Sequence, residues 1–239
     1  MLAEPSASAV VLDVDIELAR SEFRLRVKLR APPGITILFG PSGSGKSTTL
    51  AAIAGLLRPD GGRVTLGDDV WFDAKAKVHR AIEERRVAFV FQSLALFPHM
   101  TAIANVAYGM VKDTAPAERT RRAEQMLARF HVGHLARRKP PTFSGGEAQR
   151  VALARALAMS PRTVLLDEPF SALDRDLRQA LCTDLRASAL ELGVPVIHVT
   201  HHCQEARMLG DRVLKMERGA IVAEGTVDEL LPEDKHAAE

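Results

Sequence analysis

The sequence predicts an α/β fold with a mainly parallel sheet, an N-terminal antiparallel β subdomain and an inserted helical lobe. Residues 10–16 and 23–30 carry apolar side chains at every second position, which is the pattern of half-buried antiparallel strands. Residues 163–199 give a strand, a helix and a strand in succession, and this alternation is typical of a largely parallel sheet. Between these regions, residues 101–138 are rich in Ala, Arg, Glu and Met, which favours helices.

The first predicted elements are strands separated by turns. A Pro-Pro-Gly turn ends the early alternation, and the apolar residues 35–39 then predict a buried strand. Residues 64–66 and 70–72, joined by Gly-Asp-Asp, predict a β-hairpin. Residues 87–91 predict a further core strand that ends at Gln92.

The later elements begin with the helical lobe, where Pro116 can open a helix that runs through Phe130. The sheet then resumes. Its remaining predicted elements are strands over residues 163–166 and 194–199, a helix over residues 175–192, and a closing hairpin of residues 213–216 and 220–222.

The composition argues against several classes of protein. The 239 residues include 32 Lys and Arg against 30 Asp and Glu, and the net charge of +2 does not suggest a nucleic-acid partner. The basic clusters within residues 119–122 and 137–139 therefore predict solvated helix faces. No apolar run reaches the roughly 20 residues of a membrane helix, and residues 1–5 do not begin a secretory signal. Cys182 and Cys203 are too few for a disulfide framework, so we expect ordinary thiols in a reducing cytoplasm.

A glycine-rich loop between a predicted strand and a predicted helix carries the strongest functional signal. Its glycines allow a tight turn that aims N–H groups inward, and the following helix adds a positive dipole end. Lys46 would reach the β- and γ-phosphates of a nucleotide, and the Ser47 hydroxyl would bind Mg²⁺. The sequence therefore predicts a P-loop NTPase core. The predicted nucleotide-binding residues here are Gly40, Pro41, Ser42, Gly43, Ser44, Gly45, Lys46, Ser47 and Thr48.

A second small-residue loop and an acidic pair follow. Residues 144–147, Ser-Gly-Gly-Glu, precede a helix-compatible stretch and can present N–H groups to an anion, although alone they would predict only an N-cap. Asp167 and Glu168 come at the end of a predicted buried strand. An aspartate there can hold Mg²⁺ through water, and the next glutamate can orient and deprotonate an attacking water. The alternative is an ordinary acidic loop.

The order of these motifs resembles the nucleotide-binding subunit of ATP-binding cassette (ABC) transporters over essentially the whole chain. The phosphate loop, Gln92, the Ser-Gly-Gly-Glu loop, the acidic pair, the Ser-Ala-Leu-Asp segment of residues 171–174 and His201 occur in the family's order. The resemblance implies an ATPase with ATP and Mg²⁺ as cofactors. It also implies one domain over residues 1–239, with an ATPase core at residues 1–95 and 160–239 and a helical lobe at residues 96–159 that holds the signature loop.

The resemblance implies roles at the matching positions. Gln92 would contact Mg²⁺ and the attacking water, while Ser47 and Asp167 would be the other metal ligands. Glu168 would be the general base. His201, which alone would predict only a solvated or capping histidine, would hold the γ-phosphate and support Glu168.

A head-to-tail homodimer is also implied by the resemblance. In this family the signature loop of one copy covers the ATP that the other copy holds, so the active site is shared. The residues expected to contact the nucleotide or the partner in this way are Ser144, Gly145, Gly146, Glu147 and Asp174.

Some positions depart from the family's common pattern. Phe143 replaces the usual leucine, Glu147 stands where glutamine is common, and His202 follows the switch histidine where an acidic residue is frequent. For the aromatic that stacks on adenine, the candidate is Phe23, which fits equally well as a core residue of its strand.

The resemblance implies membrane partners. Residues 93–101 and 105–110 would line a groove for a short helix of a permease, with Leu96, Phe97 and Met100 as candidate anchors, although a lobe core is the alternative. We expect two membrane-spanning permease subunits, an external solute-binding protein and no nucleic acid. The chain would then lie peripherally on the cytoplasmic face of the membrane.

The expected cargo is an oxyanion. Residues 85–99 resemble importer ATPases for oxyanions, and molybdate-type ATPases are the most similar, with sulfate, polyamine and iron importers as alternatives. A soluble ABC ATPase acting on DNA or ribosomes is less favoured, because the chain has one cassette and only a small lobe. Since the chain ends at Glu239, we expect no C-terminal regulatory domain.

Overall fold

The computed structural model describes residues 10–20, 23–110, 115–171 and 173–231. The predictions for residues 1–5, for Ala172 and for the chain end lie outside these residues. The strands are β1 (Leu12–Arg20), β2 (Phe23–Ala31), β3 (Gly34–Phe39), β4 (Gly61–Leu66), β5 (Asp69–Asp73), β6 (Val78–His79), β7 (Val87–Val90), β8 (Thr163–Asp167), β9 (Pro195–Thr200), β10 (Arg212–Glu217) and β11 (Ala220–Gly225).

The helices lie between these strands. They are α1 (Lys46–Ala54), α2 (Ile82–Arg85), α3 (Ala102–Tyr108), α4 (Pro116–Arg129), α5 (Gly145–Ala158), α6 (Arg175–Leu192), α7 (Cys203–Leu209) and α8 (Val227–Leu230). Two 3₁₀ turns, Gly133–Leu135 and Pro140–Thr142, lead into α5. None of the helices in the described ranges combines the length and the apolar character that a membrane crossing needs.

One mixed sheet joins the eleven strands of the described residues, in the order β6-β5-β4-β1-β2-β11-β10-β3-β9-β8-β7. Strands β10, β3, β9, β8 and β7 run parallel to one another, whereas β1, β2, β4, β5 and β6 form the antiparallel part. Strand β11 links the two parts, since it pairs antiparallel with β10 and by one parallel bridge, Ala220 to Arg26, with β2. The predicted parallel core and antiparallel region are thus adjacent parts of a single sheet.

The parallel strands separate two hydrophobic cores. On β8, Val164 and Leu166 pack into one core and Leu165 into the other, because successive side chains point to opposite faces. The first core includes α3 to α6, and the second lies between α1 and the antiparallel strands. Strand β9 is buried along its whole length, as expected for a strand that is covered on both faces.

Helices α3, α4 and α5 lie between β7 and β8 in the chain, where the sequence predicts the helical lobe. Pro116 is the first residue of α4, as predicted, because its missing N–H leaves no helical bond unmade there. The helix ends at Arg129, and Phe130, the predicted last residue, is its buried C-cap. Helix α6 has the predicted bounds. The division at residues 96 and 159 remains a prediction.

Candidate functional site

The glycine-rich loop connects the carboxyl end of β3 to α1. Gly45, the residue before α1, has φ of 105°, which L side chains rarely adopt. A Cβ on Gly45 would lie 2.9 Å from the side chains of Phe23, Leu25 and Met216. The backbone conformation therefore favours glycine at this position, and a Cβ would also displace the ends of these three side chains.

The Lys46 side chain lies across the loop and is only 4% exposed. Its Nζ donates to the carbonyl oxygens of Gly40 and Pro41, at 2.8 Å each, and lies 4.0 Å from Oε1 of Glu168. Burial lowers the pKa of Lys46, while the charges of Glu168 and Asp167 oppose this shift. A phosphate group at this position would offer the ammonium a stronger, anionic acceptor than the two carbonyls.

Ser47 and Asp167 meet at the same edge of the sheet. Ser47 Oγ donates to Asp167 Oδ1 at 2.9 Å, although the two residues are 120 positions apart in the sequence. Burial raises the pKa of Asp167, the hydrogen bond from Ser47 opposes that rise, and the Glu168 charge adds to it. A cation bound beside Asp167 would stabilise its ionised carboxylate, which burial and the Glu168 charge disfavour.

The pair of oxygens fits a Mg²⁺ site of the kind that shares its metal with phosphates. Mg²⁺ is commonly held by one or two protein oxygens, with waters and substrate phosphates filling the octahedron. In the described part of the chain, no three His, Cys, Asp or Glu side chains form a metal cage. The Ser47 hydroxyl and the Asp167 carboxylate, with the Gln92 amide as the third predicted donor, fit a site of this shared kind.

Glu168 follows β8 in a strained backbone conformation. Its φ is 45°, in the left-handed region that is unfavourable for a residue other than glycine, and its N–H donates to Val199 O at 3.1 Å. Its Oε1 lies 3.2 Å from Nδ1 of His201, which comes directly after β9 and is 47% exposed. The two predicted catalytic side chains are thus within hydrogen-bond distance of each other.

A cavity of about 340 Å³ unites the predicted phosphate loop with Gln92 and Glu168. Phe23, at the start of β2, also lines this cavity and is half-buried. The structure therefore brings the candidate base-stacking residue beside the phosphate loop. The lining residues are Phe23, Ser42, Gly43, Gly45, Lys46, Ser47, Thr48, Gln92 and Glu168.

The signature loop does not line this cavity. Ser144 is the N-cap of α5, where its Oγ accepts from Glu147 N at 3.3 Å and its N donates to Glu147 Oε2 at 2.7 Å. The hydrogen bond from the Ser144 backbone lowers the pKa of Glu147. Gly145 is exposed and Gly146 is buried against Leu177.

Asp174 also lies outside the cavity. Its Oδ1 accepts from Leu177 N at 2.9 Å, so it is the N-cap of α6. Like Ser144, it is exposed and caps a helix within its own chain.

A buried charged cluster near Glu168 and His201 was missed by sequence reasoning. It consists of Arg178, His198 and Glu205. The available signal was a histidine within the apolar strand of residues 194–199, where a polar side chain needs a buried partner.

An apolar groove of about 390 Å³ lies between the sheet edge and the helical lobe. Tyr108 is 63% exposed there, and Phe97 lines the groove with the Arg155 guanidinium 5.6 Å from its ring centre. Of the other two predicted anchors, Leu96 packs against the core and Met100 does not line the groove. The main apolar lining residues are Leu56, Ile82, Phe89, Phe91, Phe97, Tyr108 and Met159.

Comparison with known sequences gives a family match and similar proteins. The profile of the ABC transporter family matches residues 26–171. Molybdenum import ATP-binding protein ModC of Albidiferax ferrireducens is 42% identical over 221 residues, which are 92% of this chain and 60% of that protein. Molybdate/tungstate import ATP-binding protein WtpC of Archaeoglobus fulgidus is 43% identical over 220 residues, which are 92% of this chain and 88% of that protein. The chain thus spans 60% of the length of the ModC relative.

A solved structure is similar over nearly the whole fold. The dimeric ATP-binding cassette MJ0796, bound to ADP and Pi in a post-hydrolysis state, matches with a TM-score of 0.77 and 30% identity. The match covers 91% of this chain and 98% of that one. The predicted α/β P-loop NTPase fold is thereby confirmed.

Proposed function

The chain belongs to the ABC transporter family, and we propose that it is the ATP-hydrolysing subunit of a membrane importer for an oxyanion such as molybdate. The relatives called ModC and WtpC support this cargo, since their names specify molybdenum, molybdate or tungstate import. Sulfate, polyamine and iron importers are the alternatives that a transport assay must separate.

One observation carries the catalytic part of the proposal. Lys46 Nζ lies 4.0 Å from Glu168 Oε1, and Glu168 Oε1 lies 3.2 Å from His201 Nδ1, at the edge of the sheet where Ser47 meets Asp167. A phosphate-binding lysine, a metal-binding oxygen pair and a carboxylate with a histidine partner are the groups that phosphoryl transfer to water requires.

The proposed reaction begins with the exchange of the Lys46 hydrogen bonds. Lys46 Nζ would leave the carbonyls of Gly40 and Pro41 for oxygens of the β- and γ-phosphates. Ser47 and Asp167 would hold Mg²⁺, together with Gln92, which lines the same cavity as Ser47. When bound, this ion would neutralise negative charge on the phosphates.

Glu168 is the proposed general base. It lines the cavity, so its carboxylate can accept a proton from a water that attacks the γ-phosphate. His201, through Nδ1, would keep the carboxylate oriented and would contact the γ-phosphate. Phe23, which lines the same cavity, is the proposed stacking partner of adenine.

We propose that the complete site forms between two copies of the chain. Ser144, Gly145 and Asp174 are exposed and do not line the cavity, as is required of residues that act on a partner's nucleotide. Ser144, Gly145, Gly146 and Glu147 of one copy would cover the ATP of the other. The dimeric state of the MJ0796 cassette supports this arrangement.

The groove beside Phe97 and Tyr108 is the proposed docking surface for a helix of the permease. Its exposed aromatic side chains would lose contact with water when such a helix binds. The partners would be two permease subunits and an external solute-binding protein. The chain would lie on the cytoplasmic face of the membrane, and no nucleic acid is expected.

Reconstitution in liposomes tests the proposal. The chain would be purified with the membrane proteins that accompany it, and ATP turnover would be measured with binding proteins loaded with molybdate, tungstate, sulfate or iron. We expect stimulation by the molybdate- or tungstate-loaded protein. Stimulation by another cargo alone would correct the substrate, and co-purification with DNA or ribosomes without a permease would contradict the transporter assignment.

A further inference from the structure

Arg178, His198 and Glu205 form an ionic cluster on elements that adjoin the loops carrying Glu168 and His201. Glu205 of α7 is 1% exposed and His198 of β9 is fully buried. Glu205 Oε2 lies 3.3 Å from His198 Nε2, and Glu205 Oε1 lies 3.3 Å from Nε of Arg178 in α6. A carboxylate that is buried this completely needs such partners to remain ionised.

The contact between His198 and Glu205 spans the turn that contains His201. His198 lies three residues before His201 and Glu205 lies four residues after it. Their side-chain contact therefore joins the end of β9 to the start of α7. Within the turn, Thr200 Oγ1 accepts from His202 N at 3.0 Å. The position of His201 is thus set from both sides.

The second contact reaches the loop that follows Glu168. Arg178 Nη2 donates to Leu173 O at 2.6 Å, and Leu173 is the residue before the helix cap Asp174. The Phe170 ring lies 5.6 Å from the His198 ring in the same region. Phe170 and Leu173, which follow Glu168 in the chain, therefore both contact the cluster.

The cluster keeps its central carboxylate charged but incompletely bonded. Burial works against ionisation of Glu205, yet hydrogen bonds from His198 and Thr200 and the neighbouring imidazoles outweigh it and lower the pKa of Glu205. Among the described residues, His198 Nδ1, Arg178 Nε and Glu205 Oε1 are buried without an aligned hydrogen bond. Since buried polar atoms are usually paired, a small shift of Arg178 would improve the network.

We propose that Glu205 is a positioning residue for ATP hydrolysis, which holds the Glu168 loop and the His201 turn in fixed register through Arg178 and His198. This inference rests on the proposed ATPase function. Proton transfer requires the base and its partner within hydrogen-bond distance, and a misplacement of about 1 Å can cost roughly 10²-fold in rate. The alternative is that the cluster only stabilises the core.

The substitution Glu205→Gln separates these alternatives. The glutamine can still accept a hydrogen bond from His198, but it has no charge for Arg178. We expect ATP turnover to fall about 10- to 100-fold, with KM for ATP changed less than about threefold, because the phosphate loop lies on other elements. If turnover, affinity for ATP and stability all fell together, the cluster would have only a structural role and the proposal would be wrong.

A spectroscopic measurement makes the test independent of turnover. The full chain, labelled with ¹⁵N in its histidines, gives an imidazole signal for His201 that is assigned by its loss in His201→Ala. In Glu205→Gln we expect this signal to move, because Nδ1 of His201 loses its contact with Glu168. If the signal keeps its wild-type position, the proposal is wrong, whether or not the chain hydrolyses ATP.

Two further variants control for unfolding and for an unpaired charge. The double variant Arg178→Gln with Glu205→Gln leaves no lone buried charge, so it should fold even if the single variant does not. Its turnover should remain low, and recovery to the wild-type rate would overturn the proposal. Asp184→Asn, in α6 like Arg178, removes the charge that pairs with Arg150 at 3.2 Å and should leave the His201 signal unchanged.

Failure of the proposed function would look different. A wild-type chain that binds ATP without hydrolysing it, even with its membrane partners, would contradict the ATPase proposal. The His201 signal would still show whether Glu205 determines the position of that side chain.

Discussion

At the scale of single residues, the site depends on how ordinary side chains are held close together. Glu168 has a strained backbone and lies beside His201, and the Lys46 ammonium donates to a carbonyl of its own loop. Strain that persists at a site of convergent polar groups indicates a functional constraint, because the surrounding structure must stabilise it.

Glu168→Gln is expected to lower ATP turnover by roughly 10²- to 10⁴-fold, which is the usual contribution of a positioned general base. ATP affinity should stay near the wild-type value, since Lys46 and the loop are unchanged. Turnover by rapid-quench or phosphate-release assay and binding by titration calorimetry would measure the two effects. A variant with wild-type turnover would exclude Glu168 as the base.

Asp167→Asn should stabilise the nucleotide-free chain while it impairs Mg²⁺-dependent turnover. The pKa of Asp167 is raised in the folded state, so the folded chain binds this proton more readily than the unfolded chain. The wild type therefore loses stability as the pH rises above the unfolded value near 3.8. The asparagine variant should have the higher Tm at pH 7, and this advantage should shrink on acidification.

Thermal denaturation from pH 4 to pH 8, without nucleotide or metal, would measure the difference in Tm. A lower Tm for the asparagine variant at neutral pH would show that the carboxylate is not electrostatically unfavourable there. Ser47→Ala, which removes the other oxygen of the pair, is the matched variant for the loss of turnover.

At the scale of elements, the loops expected to contact a partner chain lie at the N-termini of α5 and α6. Ser144 caps α5 and Asp174 caps α6, and each side chain satisfies an N–H that would otherwise lack a helical partner. The capping interactions fix these exposed loops without any contact from a second chain. A loop that is already ordered loses less conformational entropy when it meets a partner.

Phe97→Ser should weaken the coupling to the permease and leave ATP affinity near the wild-type value. Phe97 lines the apolar groove, whereas the nucleotide cavity has other lining residues. Stimulation of ATP turnover by the loaded binding protein in liposomes would measure the coupling. Val222→Ser, at a 55% exposed apolar side chain of β11 outside the groove, is the control. Equal stimulation of both variants would contradict the docking assignment.

At the scale of the whole molecule, the single chain presents an open site. The cavity at the phosphate loop has no signature-loop residue in its lining, so nothing from α5 covers it. A second copy that is turned head to tail would supply those groups. Contacts to the γ-phosphate would then stabilise the closed dimer. Hydrolysis would remove these contacts and let the dimer open, as in other two-state nucleotide switches.

Glu168→Gln should therefore form a dimer when ATP and Mg²⁺ are added, because slow hydrolysis preserves the γ-phosphate. Light scattering coupled to size-exclusion chromatography would give the mass. Adding Ser144→Arg to this variant should prevent the dimer, while Leu190→Arg, at a 67% exposed residue near the end of α6, should not. A monomer with ATP in every case would argue against the shared site.

Much of this protein was determined by local sequence. The two-residue alternation predicted β1 and β2, Pro116 predicted the start of α4, and the Gly-Lys-Ser loop predicted the turn between β3 and α1. Each of these features depends only on neighbouring residues. The short strand β6 and the four-residue helix α2 were missed, since such short elements have no measurable period.

The tertiary structure alone decided which distant residues meet. Strand order places β9 between β3 and β8, and this sets Ser47 against Asp167 and Glu168 against His201. It also joins Arg178, His198 and Glu205, which belong to three separate elements. Sequence period records whether a side chain is buried but not which partner it is buried against, because that partner is fixed by the packing of the whole sheet.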